Sequence, residues 1–106
     1  MTTSSKRERD ICKKALAKWG EDAQTRQAIE ECAELMLALL NSYRNRNTPE
    51  ENVMAITEEI ADVELMCRQL RVMTSDVLVD LWKEKKLKRL EAMLEEPEET
   101  NTTKET

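Results

Sequence analysis

The chain contains a single glycine, Gly20, in 106 residues. That excludes every glycine-rich phosphate loop, both the P-loop and the dinucleotide-binding type, because each needs several glycines. Phosphates bound by this chain must be met by metal ions and side chains instead. There is no histidine, so the Glu-x-x-His pairs of di-iron helical bundles are excluded too. Phenylalanine is absent, and Trp19, Tyr43 and Trp82 are the only aromatic residues. The three cysteines, Cys12, Cys32 and Cys67, are odd in number, match no zinc spacing and fall in helical patterns. They read as small core hydrophobes in a reducing compartment. No signal peptide and no apolar run of transmembrane length occurs, which predicts a soluble, cytoplasmic protein with no membrane partner.

What remains is rich in Ala, Leu, Glu, Lys and Met. That composition predicts an all-α fold. A formal net charge of −5, with no groove of clustered Lys and Arg, argues against a nucleic-acid polymer as partner, since duplex binding is dominated by phosphate neutralisation. A nucleotide is not excluded, because a bound metal can meet its charge.

Along the chain, residues 1–9 are polar and read as a flexible N-terminus. Ile11, Ala15, Leu16 and Trp19 then mark a short amphipathic helix, ended by Gly20. A second helix is expected from Glu21 or Asp22 to about Tyr43, with apolar residues around much of its circumference. Asn41–Asn47 reads as a loop. Thr48-Pro49-Glu50-Glu51 has the form of a helix start, with Thr48 as N-cap, Pro49 in the first turn and Glu51 placed for a capping box. The third helix runs to about Met73, and Thr74-Ser75-Asp76 breaks it. The fourth, about Asp76 to Leu94, carries a basic run from Lys83 to Arg89. Residues 95–106 are almost devoid of apolar side chains and read as a disordered acidic tail. The expectation is one domain over 10–94, an antiparallel bundle of about four helices. The second and third helices are apolar on several sides, which calls for completion by a homodimer or homotetramer.

Two stretches interrupt this pattern. Glu31 and Glu34 lie three apart on the second helix, and Glu59 and Asp62 lie three apart on the third, so each pair aims in roughly one direction. At about 100° per residue, Ile56, Val63, Met66, Cys67 and Leu70 all fall within about 80° of Glu59. Glu59 thus points along an apolar stripe, with Asp62 at its edge and Thr57, Glu64, Arg68 and Arg71 toward solvent. Glu31 has Ala28, Leu35 and Ala38 as neighbours. A carboxylate turned into a core is destabilising unless a cation or hydrogen-bond donors meet it. Four inward carboxylates without histidine suggest a hard divalent cation. Glu30 and Glu58 fall toward the outer edge of their faces, where they are solvated or support the inner acids.

The sequence Glu30-Glu31-x-x-Glu34-Leu35, followed after 24 residues by Glu59-x-x-Asp62, resembles the MazG-like, all-α nucleoside triphosphate pyrophosphohydrolases. The approach through Trp19-Gly20, Gln24 and Gln27 is similar as well, and the resemblance covers roughly residues 11–92. It implies that Glu31, Glu34, Glu59 and Asp62 hold Mg²⁺, with Mn²⁺ as a substitute, and form the catalytic centre. It implies cleavage of a nucleoside triphosphate to the monophosphate and pyrophosphate. Many members of that family carry Lys, Asn and Arg on the last helix; here the aligned residues are Lys86, Leu90 and Met93, with Lys83, Lys85 and Arg89 nearby.

The other candidates have two readings each. Gln24 and Gln27 contact base or sugar, or are plain helix surface. Trp19 is a core anchor or a base-stacking platform, and Trp82 belongs to the core or a subunit interface. Lys83 and Lys86 form part of a solvated face or contact substrate phosphates. Met36, Met54, Met66, Met73 and Met93 read as core fillers. The alternative to an enzyme is a degenerate nucleotide-binding protein or a helical interaction module whose acids are mere surface.

Overall fold

A computed structural model describes the backbone of residues 3–97 and the side chains of residues 5–97. The described residues form three helices: α1, Thr3–Tyr43; α2, Pro49–Met73; and α3, Asp76–Glu95. There is no strand among them, so the all-α expectation holds. The helix count does not reach four. The two expected N-terminal helices join into α1, which breaks at Gly20, where φ is 88° and ψ 163°. Glycine takes this conformation readily because it has no Cβ. No atom lies within 4 Å of where a Cβ would stand, so backbone conformation rather than crowding selects the residue.

α1 begins at Thr3, inside the segment read as a flexible N-terminus. The expected acidic tail lies outside the described residues from position 98 onward. α2 starts as its sequence predicts. Thr48 Oγ1 accepts from the Glu51 backbone N–H at 3.1 Å, and the Glu51 carboxylate accepts from the Thr48 N–H at 3.0 Å. Those hydrogen bonds hold the Glu51 carboxyl below its ordinary pKa, the backbone bond from Thr48 contributing most. At the other end, Thr74 donates its N–H and its hydroxyl to the Leu70 carbonyl, at 2.9 and 2.7 Å.

The chain divides into two compact units, Met1–Ser75 and Asp76–Thr106. In the first, α1 and α2 pack together. Buried or half-buried residues recur on α1 at 24, 28, 31, 35, 38 and 42, and on α2 at 52, 55, 59, 62, 66, 69 and 73. Those steps of three and four residues form a coiled-coil-like seam. Glu31 meets Asp62 while Glu34 meets Glu59, so the two helices run antiparallel.

The N-terminal limb of α1 also reaches α2. The Cys12 thiol donates to the Leu65 carbonyl at 4.0 Å, and Gln69 Nε2 donates to the Cys12 carbonyl at 2.9 Å. Burial pushes the Cys12 thiol above its ordinary pKa, which keeps it protonated as a donor. Arg68, expected toward solvent, is drawn in toward Glu8 at 3.7 Å. The loop before α2 is closed by Asn47 and Asn52, whose side chains bond at 3.3 Å.

The buried apolar residues of the described chain are Cys12, Ala28 and Ala38 alone. Several expected core residues are therefore exposed: Trp19, Met36, Met54, Met93, Cys32 and Cys67. The physical reason is geometric. Two packed helices cover one stripe of each other and leave the remaining sides open. In the second unit, α3 has no buried residue, and Trp82 and Met93 stand exposed. No described helix is long and apolar enough to cross a membrane.

Candidate functional site

The four acids singled out by spacing come together at the α1–α2 seam. Glu31, Glu59 and Asp62 are half-buried, and Glu34 is exposed at the rim. The 3.6-residue period places Glu31 on the same stripe as Ala28, Leu35 and Ala38, and places Glu59 one turn beyond Ala55 and Ile56. The antiparallel register then sets Glu31 against Asp62 and Glu34 against Glu59. Neither residue spacing nor helix phase alone specifies that pairing.

The electrostatics are those of crowded like charges. Burial pushes the Glu59 carboxyl above the usual carboxylate range. The neighbouring charge of Glu34, a hydrogen bond shared with it on protonation, and the charges of Asp62 and Glu58 push it further. Glu31 is raised in the same way, by burial first and then by Asp62, Glu34 and Glu59. Among the described residues, Glu59 Oε2 is buried and receives no hydrogen bond. A carboxylate oxygen withdrawn from water without a donor is costly, and an incoming cation would relieve it.

The carboxyl groups face one another in pairs. Among the described residues, no group of three acids or cysteines is drawn together tightly enough to hold a metal ion as it stands. The donor set is nonetheless the right one for Mg²⁺: carboxylate oxygens, no soft ligand among the four, and open sides for water. Glu31, Glu34, Glu59 and Asp62 are the residues that would hold such an ion.

A shallow groove of about 290 Å³ runs beside the acids. Its walls are Glu34, Leu37, Ala38 and Asn41 from α1 and Ala55, Glu58 and Glu59 from α2. Glu58 therefore faces the same opening as the inner acids. Leu37 and Asn41 escape a reading based on acid motifs. Their signal lay in the helix period, which sets both on the flank of α1 that carries Glu34.

The remaining candidates are scattered. Gln24 is half-buried in the seam, two turns before Glu31, and Gln27 is exposed one turn before it. Trp19 is 58% exposed with Lys18 Nζ 5.2 Å from its ring centroid, so it is not a core anchor. Lys83 and Lys86 stand exposed on α3, in the second unit. Lys85 lies over the Trp82 ring at 5.2 Å. Compared with family models, with curated proteins and with solved structures, the chain gave no match.

Proposed function

We propose that this chain is a cytoplasmic, Mg²⁺-dependent nucleoside triphosphate pyrophosphohydrolase that acts as a homodimer or homotetramer. Water attacks a nucleoside triphosphate, the bond between its α and β phosphates breaks, and the monophosphate and pyrophosphate leave. The observation that supports this reading best is the buried, unpartnered Oε2 of Glu59 among three further carboxylates. A cation placed there would relieve the unpartnered oxygen and the crowded charge.

Mg²⁺ held there, or Mn²⁺ in its place, would neutralise phosphate oxygens during the displacement. The chain's own residues do the rest. One carboxylate of the cluster, or Glu30 or Glu58 beside it, orients or deprotonates the attacking water. Leu37, Ala38 and Ala55 line the adjoining groove with apolar surface against which a base or sugar excludes water. Gln24, Gln27 and Trp19 are the next candidates for nucleoside contacts. The sparse core supports the oligomer: among the described residues three small apolar ones are buried, while large ones are exposed along both packed helices.

A second reading is a degenerate nucleotide-binding or interaction module. It is favoured by Leu90 and Met93, which stand where many members of the MazG-like family carry Asn and Arg. The discriminating experiment is a pyrophosphate-release screen over the common ribo- and deoxyribonucleoside triphosphates, with and without Mg²⁺. Glu59→Gln runs beside it. Metal-dependent release that falls by at least about 100-fold in the variant is expected, the upper end of the loss seen when a group supporting a metal site is removed. Activity that survives the substitution would sink the hydrolase reading.

A further inference from the structure

The limb of α1 that precedes Gly20 is basic in an acidic chain. Residues 6–18 hold six Lys or Arg against two acids, while the formal net charge of the whole chain is −5. Both of those acids already have a cation. Asp10 takes Lys6 at 3.1 Å, and Glu8 takes Arg68 of α2 at 3.7 Å. The hydrogen bond from Lys6 holds the Asp10 carboxyl below its ordinary pKa, and the charges of Lys6, Lys13 and Lys14 add to the effect. The limb therefore presents surplus positive charge.

Packing fixes which side presents it. Cys12 is buried, and Glu8, Arg9, Ala15 and Leu16 are half-buried. Steps of three and four residues put these positions on one face. That face is turned to α2, where Cys12 meets Leu65 and Gln69. Lys13, Lys14 and Lys18 are exposed and enter no ion pair among the described residues.

The limb also stands beside the acids. Leu65 is one turn, roughly 5 Å, beyond Asp62 on α2. From Cys12 the limb runs to Gly20 and there joins the part of α1 that carries Glu31 and Glu34. The segment from Cys12 to Gly20 thus passes from one seam helix to the other at the Asp62 end of the acid cluster. Arg44 and Arg46 lie in the loop at the opposite end of the seam.

A nucleoside triphosphate keeps negative charge even with Mg²⁺ bound, and the cluster confronts it with four carboxylates. Such a ligand needs cations that no acid has already claimed. We infer that Lys13, Lys14 and Lys18 form a cationic wall that draws in and holds the phosphate chain of the nucleoside triphosphate at the acid cluster. This rests on the hydrolase reading above and adds the side chains that meet the phosphates. Lysine ammonium groups on flexible stems suit a row of phosphate oxygens. Cys12, Ala15 and Leu16 are occupied by α2, so the limb offers no continuous apolar face to a bilayer.

The probe is inorganic pyrophosphate with Mg²⁺, titrated calorimetrically into the full chain, because it carries phosphates without a base. One variant combines Lys13→Gln, Lys14→Gln and Lys18→Gln, and a second places Arg at the same positions. A third combines Lys83→Gln and Lys86→Gln on α3, as a control for overall charge. Affinity should fall at least about tenfold in the first variant, since hydrogen bonds between ionised groups are among the strong ones. The Arg and α3 variants should stay near wild type, and Glu59→Gln should weaken binding through the metal. Affinity unchanged by the limb substitutions but lost in Glu59→Gln would overturn this inference and leave the hydrolase reading standing. Equal losses in the limb and α3 variants would trace the effect to net charge and overturn it too. So would binding that needs the limb but is indifferent to Glu59→Gln, because the limb would then act apart from the acids. A wild-type chain that takes up no pyrophosphate in Mg²⁺ would also overturn it, while the release screen would still judge the hydrolase reading separately.

Discussion

Glu34 of α1 and Glu59 of α2 face each other across the seam, close enough to share a hydrogen bond once a proton is present, while Glu59 Oε2 stays buried without any donor. Two negative groups in this relation oppose folding in the absence of a cation. That opposition has measurable consequences.

Glu59→Gln removes the charge at the most constrained point of the cluster and adds an amide donor within reach of Glu34. In chelator, the variant is expected to melt at the wild-type temperature or above it. In Mg²⁺ the order reverses, because the variant loses the ligand that couples metal binding to folding. Thermal melts of both proteins in chelator and in Mg²⁺ check this, and a variant that melts well below wild type in chelator would refute it.

Stability of the metal-free protein should depend on pH in the opposite sense to a salt-bridged acid. Glu31 and Glu59 have folded-state pKa values above their ordinary 4.5. The folded state therefore holds protons more tightly than the unfolded state does. Their contribution is fully favourable below about 4.5 and is lost as pH rises through the raised folded values. Melting temperature in chelator should fall as pH rises above about 4.5 and through the raised folded values. Mg²⁺ should restore it, by about 2.7 kcal/mol at one hundred times its Kd. Flat chelator curves over that range would contradict the crowding of these acids.

Gly20→Ala places a side chain at φ 88°. The surrounding space is open, so the loss is that of backbone strain, about 1–3 kcal/mol. Urea unfolding should show a lower midpoint with an unchanged slope. A variant as stable as wild type would mean that α1 straightens through this position at little cost.

Sequence reading went far where causes are local. The Thr48–Glu51 capping box, the end of α2 at Met73 and the break at Gly20 each depend on residues within one turn, and all three stand where the residues placed them. The inward aim of Glu59 followed from phase along a single helix. Reading failed where a neighbour was assumed. Trp19, Met36, Met54, Cys32 and Cys67 have the chemistry of core residues, yet in the protomer they stand exposed. Gln69 is polar and was passed over, yet it is buried, because the Cys12 carbonyl on the N-terminal limb of α1 accepts its amide.

The limits of α2, the break at Gly20, apolar phase and the presence of two acidic pairs were thus properties of the chain itself, since each arises from the 3.6-residue period and its caps. Which acid lost its donors, and which opposed which, was decided by the antiparallel register of α1 against α2. Register couples Glu34 with Glu59 and Glu31 with Asp62, residues far apart along the chain, and no local pattern encodes it. The packing of Cys12 against Leu65 and Gln69, 53 and 57 residues away, belongs to the same class of tertiary decision.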